Sequence, residues 1–285
     1  MEIPRCDFGF IGGSSTLSVE IPEALELDFV EIEARDLVFE TPYGLSPEFK
    51  LLLLDNNNEK KRILSCKMHG WRTGVSRADA SRQVFWVFKQ SGIKRIVAEG
   101  GVGAVNYLLN PRDIVIPHDY MDFSMRKDVS LTDRYLLMMR DSLCPDMRKE
   151  LRNILAEKWK GRVFDRSVYI NTDGRHFESP AEVAMFRMTG GDIVGQSICP
   201  EVYLAREIGA CYAGVYLVVN YAEGVVTPWQ HEELAEIFHS ESVAVGRIIF
   251  DFLRSLAIEQ PCSCPEFRKD TLLKGVYTPY EKEEV

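Results

Sequence analysis

Groups able to hold a flat heteroaromatic ring meet in one short stretch, Tyr169-Ile-Asn-Thr-Asp-Gly-Arg-His-Phe-Glu-Ser-Pro-Ala-Glu182. Phe177 offers a face for stacking, and Glu178 an acceptor for a ring N–H. Other segments carry groups suited to an oxyanion. Gly12-Gly-Ser-Ser15 pairs a backbone that an anion can approach closely with hydroxyls at Ser14 and Ser15. His69, in Lys67-Met-His-Gly70, adds a ring nitrogen, and Gly100-Gly101 adds bare amides. Gln196-Ser197 adds an amide and a hydroxyl, and Asn220 ends a long apolar run. Each has an ordinary structural explanation when taken alone: a core phenylalanine, a solvated glutamate, a glycine–serine turn, a structural histidine, a turn-forming asparagine. Their value depends on whether the fold gathers them.

The elements that must do so can be read from the pattern. Ser179 is placed to cap a helix, with Pro180 at its first position and Glu182 closing a capping box, so the first stretch reads as strand, glycine turn and helix. Asp7–Thr16 opens as a short apolar strand and ends in the Gly-Gly-Ser-Ser turn. Thr41-Pro-Tyr-Gly44 is a turn between strands. Leu51–Asp55 and Arg62–Cys66 are strands around a polar hairpin at 56–60. Ala78–Gln90 has Val84, Phe85, Val87 and Phe88 at helical spacing and stops at Ser91-Gly92. Arg95–Ala98 is a buried strand running into a glycine loop, Glu99–Gly103, the geometry at which α/β sheets bind ligands. Asp146–Trp159 is helical, with Met147, Leu151, Ile154 and Leu155 on one face. Val183–Met188 is an apolar helix, Pro200-Glu201 starts another, and Ala210–Asn220 is a central strand. His231–Leu253 is an amphipathic helix. The sequence thus predicts one α/β domain over 1–259, with a loose tail over 260–285.

Bulk properties restrict the partners. The 285 residues are 46% hydrophobic and 27% charged, enough for a substantial core. A net charge of −9 argues against a general nucleic-acid binder, so an anion must be held locally by a few donors. No apolar run has the length of a membrane span, and the first residues lack a secretory pattern. The seven cysteines are scattered, without metal-type spacing, and fit reduced thiols in the cytoplasm. Cys262-Ser-Cys264 is either a strained redox pair or two plain cysteines in a tail, and the latter reading is adopted. No metal site is expected.

The stretch around Phe177 resembles the Gly-Pro-x-Phe-Glu-Thr-x-Ala-Glu signature of trimeric purine nucleoside phosphorylases and methylthioadenosine phosphorylases. Gly174, Phe177, Glu178, Ala181 and Glu182 match; Arg175 stands for the proline and Ser179 for the threonine. The resemblance spans about residues 7–255 in consistent order. Gly12-Gly-Ser14 is similar to the family's phosphate-binding opening, and Thr41-Pro-Tyr-Gly44 to its Thr-Pro-Phe/Tyr-Gly turn. The most specific match runs from Gly191 to Glu207, where Gln196 replaces a methionine under the sugar and Ser197 keeps a hydroxyl. Met68 replaces the arginine of an Arg-His-Gly motif whose side chains lie near phosphate. A guanidinium forks onto phosphate oxygens and a thioether does not, which leaves Lys67 or Arg72 as neighbouring substitutes. Arg82 either faces the phosphate or is solvated. Asp122 matches a position that is architectural in the family. The C-terminal helix implies Leu234 or Phe238 near the 5′ end of a nucleoside.

The resemblance implies a mixed central sheet, partly closed into a barrel and flanked by helices, in a homotrimer. It implies phosphorolysis: inorganic phosphate attacks C1′ of a purine nucleoside and the base departs, with no organic cofactor or metal. Ser14, His69, Gly100, Gly101 and Ser197 would hold phosphate, which would stabilise the positive charge growing on the sugar. Phe177, Glu178 and Asn220 would hold the base, Asn220 at N7, and Gln196 would face the ribose. Glu178 with Asn220 looks like the pair of 6-oxopurine enzymes, whereas the surroundings and the Cys-x-Cys tail look like methylthioadenosine phosphorylases. A 5′-methylthioinosine phosphorylase would reconcile the two. Met68, Gln196 and Arg175 also fit a hydrolytic enzyme or a non-catalytic nucleoside-binding paralogue.

Overall fold

The computed structural model describes residues 2–56, 59–259 and 262–272. The strands, in chain order, are β1 (Phe8–Ile11), β2 (Val30–Leu37), β3 (Glu40–Thr41), β4 (Gly44–Leu45), β5 (Phe49–Asp55), β6 (Lys60–Cys66), β7 (Arg95–Ala104), β8 (Ile114–Val115), β9 (Asp119–Asp122), β10 (Tyr135–Leu137), β11 (Val163–Phe164), β12 (Val168–Asn171), β13 (Ile193–Gly195), β14 (Cys211–Tyr221) and β15 (Arg268–Asp270). The helices are α1 (Arg77–Ser91), α2 (Pro145–Lys158), α3 (Pro180–Met188), α4 (Ile198–Glu207) and α5 (His231–Ser255).

Eleven strands form one mixed sheet in the order β11-β8-β14-β7-β1-β6-β5-β2, and it forks at β7. The far end of β7 pairs antiparallel with β13, which leads on to β12 and β9. The parallel centre, β14-β7-β1-β6, is buried on both faces. That burial is why β14 reads as a continuous apolar run rather than an alternating one. One core joins the sheet to α1 and α4 through Phe85, Phe88, Val202 and Leu204. A second joins it to α2 and α5 through Leu151, Leu155, Phe250 and Phe252.

Local signals explain the boundaries that position the site. Ser76 caps α1 by accepting from Asp79 N, and Gly92 closes it at φ 81°, where glycine alone is unstrained. Ser179 and Glu182 form the expected reciprocal capping box of α3, a device contributing about 1 kcal/mol. The turn at 41–44 joins β3 to β4. β5 and β6 pair antiparallel from Phe49↔Cys66 to Asp55↔Lys60. Residues 57 and 58 of their expected hairpin lie outside the described residues.

Three expectations are corrected. Glu99–Gly103 is not a loop: β7 continues to Ala104, and Gly100 and Gly101 pair with Tyr216 and Leu217 of β14. Pairing with β14 alone fixes the backbone of these glycines and leaves their other edge to the cavity, so this segment is both sheet and ligand wall. The tail is not loose over 262–272. Its β15 pairs with β10, and Arg268 donates to the carbonyl of Glu207. Residues 260–261 and 273–285 lie outside the described residues. Finally, Cys262 and Cys264 are not isolated, because their sulfurs meet those of Cys144 and Cys211.

Candidate active site

The anion-type groups are brought together by two tight turns. Gly12–Ser15 follows β1, and Gly12 O accepts from His69 N at 3.0 Å, so the turn after β6 is tied to the turn after β1. Ser14 Oγ accepts from Gly101 N at 2.8 Å, which fixes the serine against β7 and leaves its own hydroxyl hydrogen to donate. His69 is buried, and its Nδ1 lies 2.8 Å from Glu201 Oε1 in α4. Glu201 also accepts from Tyr212 OH at 2.7 Å, which fixes the carboxylate that fixes the ring. The other ring nitrogen faces the glycine turn: a Cβ on Gly13 would lie 2.6 Å from His69 Nε2. Ser197, just before α4, has its Oγ 3.4 Å from Tyr169 OH and 3.7 Å from a Cβ built on Gly100.

The base-type groups stand opposite. Phe177 is 51% exposed, with its ring 4.8 Å from that of Trp229, so one face is free to receive a flat ligand. Glu178 is buried, and its Oε1 accepts from Thr172 Oγ1 at 2.6 Å, leaving Oε2 for a ring N–H. Asn220 is buried, and Nδ2 donates to Tyr221 O at 2.7 Å, which leaves a second N–H and Oδ1. A register shift between Val218 and Asn220 interrupts the β14–β7 ladder at this point. Such bulges re-aim side chains, and here Val219 and Asn220 both reach the same cavity.

All nine residues expected at the site line that cavity, whose volume is about 360 Å³: Ser14, His69, Gly100, Gly101, Phe177, Glu178, Gln196, Ser197 and Asn220. The volume suits a nucleoside-sized ligand. Leu234 and Phe238 of α5 cover one side, as expected, and Met68 forms part of the wall. Gln196 is held by Arg77, which donates to its Oε1 at 3.0 Å, and donates through Nε2 to His176 O at 3.2 Å. Gly174, at φ 73°, leaves room for the same amide, which a Cβ at that position would overlap. Asp122 accepts from Asn171 Nδ2 and from Ser124 N, an architectural role.

The proposed substitutes for the missing arginine are turned elsewhere. Lys67 pairs with Glu20 at 2.5 Å. Arg72 donates to the carbonyls of Gly70 and Leu45 and to Gln83. Arg82 pairs with Asp79 at 3.0 Å. Among the described residues, Arg175 is the one arginine in the cavity wall.

Sequence reasoning missed the residue that organises the anion turn. Glu99 is fully buried; it accepts from Gly13 N, from Ser15 N at 3.0 Å and from Thr16 Oγ1 at 2.6 Å. Two of the turn's amides therefore face a carboxylate. Burial pushes the Glu99 carboxyl above its ordinary value, against the pull of Thr16, Gly13 and His69. A glutamate directly before a glycine pair inside an apolar strand was the available signal. Trp71 and Trp229 were also missed; Arg77 stacks 3.9 Å over the Trp71 ring beside the cavity.

Comparison with known proteins agrees with this geometry. A family model described as the phosphorylase superfamily matches residues 9–254. The chain is 30% identical over 262 residues to the "Probable S-methyl-5'-thioinosine phosphorylase" of Methanothermobacter thermautotrophicus, covering 90% of this chain and 86% of that protein. It is 30% identical over 255 residues to the "6-oxopurine nucleoside phosphorylase" of Pyrococcus furiosus, covering 85% and 94%. Among solved structures, methylthioadenosine phosphorylase from Schistosoma mansoni in complex with adenine superposes with a TM-score of 0.75 at 20% identity, covering 91% and 94%. Matched along most of its length, the chain belongs to the phosphorylase superfamily.

Proposed function

We propose that the protein is a purine nucleoside phosphorylase of the methylthioadenosine phosphorylase type. It cleaves the N-glycosidic bond of a purine (5′-methylthio)nucleoside with inorganic phosphate, giving free base and (methylthio)ribose 1-phosphate. The observation that carries this reading is a single cavity lined both by Ser14, whose Oγ is fixed by Gly101 N, and by Phe177, Glu178 and Asn220. Phosphate held at Ser14 sits under the sugar, poised at C1′. Asn220 donates to N7 as negative charge grows on the leaving base, while Glu178 accepts N1–H and Phe177 stacks. Leu234 and Phe238 supply an apolar wall suited to a methylthio group. The names of both relatives include 6-oxopurine or thioinosine substrates, which fits the Glu178–Asn220 pair. Phosphate serves as co-substrate, with no organic cofactor, in a homotrimer in the cytoplasm. Among the described residues, no helix is long and apolar enough to cross a membrane.

One observation favours a hydrolytic second reading: Glu99 already occupies two turn amides, and Met68 leaves no guanidinium beside His69. Release of free base from a panel of inosine, adenosine and their 5′-methylthio analogues, with and without phosphate, separates the two. Phosphorolysis requires phosphate and yields the sugar 1-phosphate. Equal turnover without it rejects the proposal in favour of water.

A further inference from the structure

Far from the cavity, four cysteines from three distant segments converge. Cys144 immediately precedes α2, Cys211 begins β14, and Cys262 and Cys264 belong to the docked C-terminal segment. Their four sulfurs all lie within 4.8 Å of one another, and all four are free thiols. Cys144, Cys211 and Cys264 are buried, while Cys262 is partly exposed and gives the group an opening to solvent. We propose that this group is a structural zinc site with a four-thiolate ligand set.

The chemistry of the donors supports the assignment. Four sulfurs and no oxygen or imidazole select zinc over hard cations such as magnesium or calcium. A tetrahedral ion about 2.3 Å from each sulfur holds the sulfurs about 3.8 Å apart, inside the observed span. Cys211 and Cys262, whose sulfurs lie 3.0 Å apart, open by less than 1 Å to admit it. Arg206 bonds the Cys264 carbonyl and the Asp141 carbonyl, which places a fixed positive charge beside a site that would carry net negative charge with zinc bound.

The position gives the ion its role. It fastens the C-terminal segment, held also by the short β10–β15 pairing and by hydrogen bonds from Arg206 and Arg268, to the start of α2 and to the central strand. Cys211 and Asn220 lie at opposite ends of β14, about 30 Å apart at the rise of an extended strand. The ion therefore takes no part in nucleoside cleavage, and the proposal stands independently of the reading of the cavity.

The test uses the full untagged chain, produced with zinc supplied and purified under reductant. Elemental analysis is expected to give about one zinc per chain. Exchange for cobalt is expected to give the thiolate-to-cobalt charge-transfer and tetrahedral ligand-field bands. Cys262→Ser, at the partly exposed position, is expected to weaken zinc retention against a chelator by at least tenfold while the chain stays folded. Cys262→Ser with Cys264→Ser is expected to abolish zinc and lower Tm by several degrees. Zinc-free protein whose seven cysteines all titrate as thiols on unfolding overturns the proposal. So does a chain mass reduced by the hydrogens of one or two disulfides, which would assign the cluster to redox pairing instead.

Discussion

Replacing Glu99 by glutamine tests how the anion turn works. In the native turn, Oε1 accepts from Gly13 N and Thr16 Oγ1 while Oε2 accepts from Ser15 N. Glutamine keeps one acceptor oxygen and sets an NH₂ against the remaining N–H. An unpaired buried N–H costs about 1–3 kcal/mol, partly offset because no charge is buried. A phosphate at Ser14 and Gly101 lies close to this carboxylate. Two like unit charges about 6 Å apart at an effective dielectric of about 20 repel by about 3 kcal/mol. Relaxation and partial protonation halve that, so Glu99→Gln is expected to lower the KM for phosphate about tenfold, roughly 1.4 kcal/mol. The pH dependence has a definite sign. Burial raises the folded-state value above the ordinary 4.5. The stabilisation associated with a raised carboxyl is fully present below the unfolded value and is lost as pH rises through the folded one. Relative to Glu99→Gln, the native chain should lose stability across that window, and its phosphate KM should rise over the same range. Taking the ratio of the two proteins at each pH removes the titration of phosphate itself. Steady-state kinetics at varied phosphate, with chemical denaturation at matched pH, provides the readout. A phosphate KM that is unchanged or raised, or a ratio flat with pH, would refute the reasoning.

Other substitutions probe the remaining contacts. Ser14→Ala removes a hydroxyl aimed at the anion; a hydrogen bond to a charged group is worth about 1.5–3 kcal/mol, so kcat/KM for phosphate should fall about 10- to 100-fold with little change in nucleoside KM. Asn220→Ala removes the donor at the leaving base and should lower kcat about 100- to 1000-fold, on the scale of a lost oxyanion donor, with Tm changed by only a few degrees. Gly174→Ala adds a Cβ 1.8 Å from Gln196 Oε1 at a backbone φ of 73°. It should cost at least 1–2 kcal/mol, seen as a Tm several degrees lower, and raise the nucleoside KM as Gln196 is displaced.

What the sequence showed and what it hid divide along a physical line. Helices announced themselves because capping and periodicity are local: Ser179 with Glu182, the Ser91-Gly92 stop of α1, and the stripe along α5 each use residues within a few turns of one another. The nine cavity residues were legible through motif order, even though the segments are far apart. Glycines in Glu99–Gly103 suggested a loop, but pairing with β14 along the segment, and with β13 at Gly103, overrode that local preference. The four-cysteine group stayed hidden because its ligands come from positions 144, 211, 262 and 264, which have no shared spacing. Lys67 and Arg72 looked able to replace the arginine from adjacent positions. Adjacency along a tight turn does not share direction, and each found its own partner.

The charge around the anion turn makes the most consequential difference from the pattern the sequence resembles. Met68 stands where the resemblance has a cation, and Glu99 sets a buried carboxylate within hydrogen-bonding distance of the same turn. Both disfavour a bound dianion, in a chain whose net charge of −9 already offers no long-range attraction. Two features work the other way. Burial favours the neutral form of Glu99, and a neutral carboxyl removes the repulsion while still ordering Gly13 and Thr16. Arg175, in the wall of the same cavity as Met68, brings a guanidinium to a place where a proline is expected from the resemblance. In this reading both groups act on one bound anion, so their effects should not add. Glu99→Gln should improve phosphate use far more in the native chain than in Arg175→Ala, where the cation needed to hold the anion is gone. Additive changes in phosphate KM across that double-mutant cycle would show that Arg175 does not serve the anion and that the turn binds phosphate, if at all, through hydroxyl and amide donors alone.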